Sequence, residues 1–180
     1  MSEHFDGIFE VEFKYRLDSK NNFLAALMKL KPEVRLENNH EIDWFYDYPD
    51  HTLTTQTKSI SIREMQPSGI KLWIVKGPEK ARCEAVNITD VVRAKSMLET
   101  MGLVHTMTLT KIRSMYFLNE FHVTLDYLEG LGHFAEFAIM THNESELKYY
   151  ECELKKLASQ CQLYDNDIEH RSYKQMMTNL

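Results

Sequence analysis

The sequence predicts an α+β protein in which about eight antiparallel strands close into a β-barrel around a charged tunnel, with helices packed outside. Three observations point there. Residues 8–17 alternate strictly between apolar and charged side chains. Seven further short β-like segments follow, several separated by turn signals. Between and after them lie a few stretches with helical spacing or capping residues, too few for an all-helical protein. Closing so many antiparallel strands into a barrel removes the exposed edges that would otherwise invite aggregation.

The elements are read in order. In the first strand Phe9, Val11, Phe13, Tyr15 and Leu17 share one face, and Glu10, Glu12, Lys14 and Arg16 share the other, as period-two alternation requires. Ser19 is placed to cap a helix over 19–30, whose stripe is Phe23, Leu24, Leu27, Met28 and Leu30. Strands are expected over 42–47, 59–65, 70–76 and 82–88. Pro67, Ser68 and Gly69 make the second and third of these a hairpin. Thr89 is expected to open a helix that Gly102 ends. Strands over 103–117, 121–128 and 133–140 come next, with Gly130 and Gly132 in the last turn. Asn143 and Glu146 resemble a capping box before a helix of about 18 residues. The tail from residue 166 reads as a short helix.

Composition narrows the function. The 180 residues are 43% hydrophobic, enough for a real core. Glycine and proline are few and no linker or repeat divides the chain, so one domain over 1–180 is expected. The net charge of −6 argues against non-specific nucleic-acid binding. No apolar run of about 18 residues exists to span a membrane. The acidic N-terminal stretch lacks the apolar core of a secretory signal. Cys83, Cys152 and Cys161 form no paired spacing, which fits reduced thiols in a cytoplasm. No zinc spacing, P-loop or nucleophile-elbow motif is present.

The unusual feature is charge on strands. Beyond the first strand, Arg63, Lys76, Glu84, Lys111, Arg113, Asp126 and Glu136 sit in β-like segments, several among strongly apolar neighbours. Solvated faces would account for any one strand. A tunnel lined by the charged faces accounts for the set, provided both signs are present, because isolated buried charges are too costly to persist. A polyphosphate with divalent cations suits such a lining: bases bind phosphoryl oxygens and carboxylates hold the metals. Glu10, Glu12, Asp126 and Glu136 face five bases, Lys14, Arg63, Lys76, Lys111 and Arg113. A nucleoside triphosphate of about −4 with about two Mg²⁺ would bring that set close to neutrality.

The run from Glu10 through Glu12 to Lys14 has the E-x-E-x-K form near the N-terminus. Arg63, Lys76, Arg82 with Glu84, Lys111 with Arg113, Asp126 and Glu136 follow at plausible spacing. In this order the chain resembles the CYTH family, the triphosphate tunnel metalloenzymes, and most closely the bacterial class IV adenylate cyclases. The resemblance covers nearly the whole chain. It implies a closed barrel and a homodimer with ATP as substrate. It further implies Mg²⁺ or Mn²⁺ as cofactor, two ions, and formation of 3′,5′-cyclic AMP and pyrophosphate. It also implies the roles: Glu10, Glu12, Asp126 and Glu136 as metal ligands; Lys14, Arg63, Lys76, Lys111 and Arg113 as triphosphate binders; Arg82 and Glu84 in support. Lys14, Lys111 and Arg113 are expected to act in catalysis. Ala138 stands where many members carry a second glutamate, which leaves the metal count open. Alternatives on the same tunnel are a thiamine triphosphate or tripolyphosphate phosphohydrolase and a non-catalytic nucleotide- or polyphosphate-binding module.

Overall fold

The computed structural model describes residues 3–178. Its frame is one eight-stranded antiparallel sheet in the order β1-β8-β7-β6-β2-β3-β4-β5. The strands are β1 (Phe9–Arg16), β2 (Glu33–Asp47), β3 (Ser59–Gln66), β4 (Lys71–Lys76), β5 (Cys83–Asn87), β6 (Val104–Leu118), β7 (Phe121–Leu128) and β8 (Gly132–Thr141). The helices are α1 (Lys20–Lys29), the one-turn α2 (Thr52–Thr55), α3 (Val91–Thr100), α4 (Leu147–Gln160) and α5 (Tyr173–Thr178).

The sheet curls into a half-barrel. Its edge strands β1 and β5 meet through the single bridge Phe9–Arg82, flanked by bonds from Glu10 N to Ala81 O and from Cys83 N to Ile8 O. Of the expected closed barrel the structure shows the strongly curved sheet, with its two edges touching at one bridge and not joined by a continuous ladder. Only β2 and β6, each of 15 residues, pair over a long stretch, with register shifts at Val34/Leu36, Leu36/Asn39 and Phe45/Tyr46. Such irregularities increase local twist.

Alternation places the core on the convex side. Val11, Tyr15, Tyr116, Val123, Leu125, Ala135, Phe137 and Ile139 pack against α1 and α4 through Phe23, Leu27, Leu154 and Ala158. A second cluster joins Tyr46, Ile62, Trp44 and Trp73 to Val91, Ala94 and Leu98 of α3. Both tryptophans are thus committed to packing outside the curl.

The caps refine the helix expectations. Ser19 does cap α1, accepting from Asn22 N at 3.2 Å. The cap of α3 is Asp90 and not Thr89: its carboxylate accepts from Arg93 N at 2.9 Å. Asn143 caps a short 3₁₀ turn instead of the long helix, and Glu146 accepts from Thr141 Oγ1 at 3.0 Å instead of reaching back to Asn143. The capping box does not form, and α4 runs for 14 residues.

Phe137 is fully buried and meets Tyr15 and Phe23 edge-on, with ring centroids 5.7 and 6.2 Å away. Phe137→Ala should cost about 3–5 kcal/mol of stability, read as a lower urea midpoint with the slope unchanged. A loss below about 1 kcal/mol would show that the convex side does not hold the sheet.

Candidate active site on the concave face

The concave face is a band of charge between two apolar ends. At one end His122 and Phe117 meet Phe5 and His4 of the N-terminal turn, with Phe5 and His122 ring centroids 4.8 Å apart. At the other end Leu109, Leu128 and Phe134 are covered by Tyr173 and Met176 of α5. Between them, register sets Lys14 opposite Glu136, Asp43 opposite Arg63, Glu41 opposite Lys111 and Arg113 opposite Asp126.

These side chains form one linked network. Arg113 makes a two-pronged pair with Asp126, Nε to Oδ1 at 2.7 Å, and its second nitrogen also donates to Glu136. Arg63 grips Asp43 in the same way, at 2.7 and 3.0 Å. Glu41, with no exposed surface, faces three cations: Lys111 at 2.6 Å, Arg63 at 3.1 Å and Arg113 at 3.9 Å. All three contacts converge on one carboxylate oxygen, Oε1. Lys76 holds Glu10 at 2.6 Å, and Lys14 lies 3.8 Å from Glu136.

All nine charges expected to line the interior are on this face. Two more, Glu41 and Asp43, were not anticipated. They repeat the two-residue acid spacing of Glu10 and Glu12, and Ile42, Trp44 and Tyr46 on the other face could have marked the alternation. A third unanticipated residue is Tyr173, whose hydroxyl donates to Asp126 Oδ2 at 2.8 Å. Arg82 and Glu84 stand apart. They pair with each other, and register puts Glu84 on the face of Trp73 and Val75, opposite Lys76.

Six carboxylates thus meet five cations, and Glu12 is the one that forms no ion pair among the described residues. The electrostatics follow. Enclosure by the curl, with Glu136 and Glu10 beside it, pushes the Glu12 carboxyl up to about 7 although the residue as a whole is exposed. Burial alone would also raise Glu10, but Lys76 outweighs it and holds Glu10 at about 2. Burial opposes ionisation of Glu41 too; Arg63, Lys111 and Arg113 overcome it and bring its carboxyl well below the usual range. Burial drives His122 down to about 4, so the imidazole is neutral. Cys83, buried beside Glu10, is pushed up to about 12 and stays a thiol.

Glu10, Glu12 and Glu136 offer hard oxygen donors. Among the described residues no three ligating side chains converge as a ready-made cage. Mg²⁺-type ions are commonly held by one or two carboxylates with water and substrate phosphates completing the shell. The donors therefore fit a divalent cation shared with a bound polyphosphate.

A curled antiparallel sheet with mixed charge inside it is a face that can take a polyanion together with hard cations. The particular family is the CYTH family: its domain model matches residues 9–173, and the chain belongs to it. The chain is 54% identical over 173 residues to the adenylate cyclase CyaB of Aeromonas hydrophila, covering 96% of this chain and 91% of that one. A solved structure from Vibrio parahaemolyticus, provisionally named an adenylate cyclase, is 55% identical with a TM-score of 0.93, covering 96% and 99% of the two chains. A Pyrococcus horikoshii protein, 22% identical with a TM-score of 0.82 over 95% and 99% of the chains, shares the fold.

Glu12 generates a pH prediction. Its folded-state value of about 7 lies above the ordinary 4.5, so the folded protein holds this proton more tightly than the unfolded chain. That contribution is full below the ordinary value and is lost as pH rises through 7. Glu12→Gln should therefore melt above wild type at pH 8, with the gap closing toward pH 4.5. Superimposable melting curves at pH 8 would place Glu12 in ordinary solvent.

Proposed function

We infer that this protein is an adenylate cyclase that converts ATP to 3′,5′-cyclic AMP and pyrophosphate. The observation that carries this reading is the 54% identity, over nearly the whole chain, to a protein named adenylate cyclase. The concave face supports it, because five cations lie within one band where a triphosphate can lie.

In this reading the curl works as a tunnel. Lys14, Arg63, Lys76, Lys111 and Arg113 bind the phosphoryl oxygens and orient the α-phosphorus toward the ribose 3′-oxygen. That oxygen attacks in line, its proton passes to solvent, and the bond to the pyrophosphate oxygen breaks. Charge then grows on the β- and γ-phosphates, where cations fixed in advance act without reorganising. Lys14, Lys111 and Arg113 are the catalytic set on the family resemblance, and all three lie among the buried part of the band. Glu10, Glu12 and Glu136 would hold Mg²⁺ or Mn²⁺, two ions in the fullest form of the reading. When bound, the divalent cation supplies charge neutralisation at the phosphates and eases loss of the 3′-hydroxyl proton. Arg82 and Glu84 brace the seam beside Glu10.

Three free cysteines suit a reducing cytoplasm, and no helix among the described residues is long and apolar enough to cross a membrane. A homodimer is part of the proposal. Exposed Val92 and Met97 on α3 are apolar surface that a second copy would cover, and sedimentation would resolve it from a 21.3 kDa monomer.

Incubation with ATP and Mg²⁺ or Mn²⁺ tests the reaction. Cyclic AMP with equimolar pyrophosphate is expected; orthophosphate would indicate a hydrolase, and binding without turnover a sensor. Lys76→Ala isolates the cation band. Its removal also leaves Glu10 without its cation, so a melting curve is recorded beside the assay, and kcat/KM of the folded variant should fall about a hundredfold, as when one transition-state contact is lost. Undiminished kcat/KM would remove Lys76 from the triphosphate path.

A further inference from the structure

The C-terminal segment is threaded into the end of the charged band. Ile168 bridges to Tyr15, and Glu169 N donates to Lys14 O at 2.8 Å, so the segment runs beside β1. Lys14 Nζ in turn donates to Arg171 O at 3.0 Å. Two residues on, Tyr173 enters the curl. Its ring lies under Lys14, 4.3 Å from the ammonium, and under Lys111 at 5.1 Å, and packs against Phe134 at 5.3 Å. Its hydroxyl reaches Asp126.

Asp126 is fully buried and its oxygens are already engaged. Oδ1 accepts from Arg113 Nε; Oδ2 accepts from a second Arg113 nitrogen and from Tyr173. Three of about four acceptor positions of this buried carboxylate are thus taken within the protein, which leaves it poorly placed to take a cation. Glu136 differs: Arg113 and Thr124 engage Oε2, and the nearest cation to Oε1 is Lys14 at 3.8 Å.

We propose that Asp126 does not ligate the divalent cation but is a positioning residue, and that Tyr173 holds it so that it presents the Arg113 guanidinium to the triphosphate. The assignment rests on the reading of the concave face as a triphosphate site. A two-pronged pair fixes the plane of the guanidinium as well as its place. The tyrosine hydroxyl fixes the carboxylate, and the ring sets the level of two further ammonium groups by cation–π contact. Tyr173 thereby couples the docking of the tail to three of the five cations.

The test is calorimetric binding of inorganic tripolyphosphate to the full-length protein, in EDTA and again in saturating Mn²⁺. In EDTA a carboxylate that serves only as a metal ligand repels the anion, so removing its charge tightens binding. Glu12→Gln should behave that way. Asp126→Asn should do the opposite and weaken binding about tenfold, because Arg113 loses its orientation. Tyr173→Phe keeps the ring and every charge, and should weaken binding severalfold in both conditions with circular dichroism unchanged; it decides the matter should Asp126→Asn not fold. Tighter binding by Asp126→Asn in EDTA, or wild-type binding by Tyr173→Phe, would overturn the assignment alone. Wild-type binding only in Mn²⁺ would also overturn it, since the anion would then be held by the cation and not by a preset Arg113. No binding in either condition would overturn the triphosphate reading beneath it.

Discussion

The structure depends on the contact of Glu41 with Lys111, Arg63 and Arg113. One carboxylate with no exposed surface touches cations from β3 and β6 at 2.6, 3.1 and 3.9 Å. Without it, Lys111 would keep only Asp43 at 3.9 Å, and Arg63 and Arg113 would each lose one of their acids. Burial of charge costs several kcal/mol per ion unless partners repay it, so a sheet curled with its charged face inward survives only if the signs interleave. Register does this. Three neighbouring strand pairs set a base against an acid, Asp43 opposite Arg63, Asp126 opposite Arg113 and Glu136 opposite Lys14, while Lys76 of β4 finds its acid, Glu10, on β1. The convex core holds the sheet; the interior pairing lets it curl with its charges inward.

On the proposed function, that pairing also prepares the face for a triphosphate. Cations already fixed by carboxylates would need no ordering on binding, and electrostatic stabilisation is most effective when the donors are set in advance. The arrangement has a cost, since each base must share itself between its internal acid and the anion. Glu12 marks where the balance is unfinished. It lacks a cation of its own and is held near 7 by enclosure and by Glu136 and Glu10. This is the place where positive charge from outside the chain is most favourable.

Much of this was legible in the sequence, for reasons tied to particular residues. On β1 one face is wholly apolar and the other wholly charged, so strand, faces and candidate ligands come together. Lys111 and Arg113 are legible for the same reason, two apart on a strand with apolar neighbours. β2 is not. Its first half exposes most of both faces, so no alternation marks its start, and the expected strand began just after Glu41. Closure is hidden too, because periodicity reveals faces but not edges, and the seam at Phe9 and Arg82 is one bridge. Tyr173 left a faint trace in the spacing of Tyr173, Met176 and Met177, an apolar stripe on a short helix. Nothing local says that such a stripe docks against Phe134 and Leu109 at the end of the band. The caps differ by small margins, as with Thr89 and Asp90, where the longer reach of a carboxylate to the N3 amide decides.

We propose that the interior charges are one network whose bases are shared between their internal acids and a bound triphosphate. Thermal unfolding of Glu41→Gln with and without inorganic tripolyphosphate tests it most directly. Without ligand the variant should melt well below wild type, as expected when one partner of a buried charge cluster is removed, a loss of about 3–5 kcal/mol. Added tripolyphosphate should raise its melting temperature more than it raises that of wild type, because the anion then supplies the missing negative charge as well as binding energy. A variant that melts with wild type and gains no more from the ligand would contradict the account.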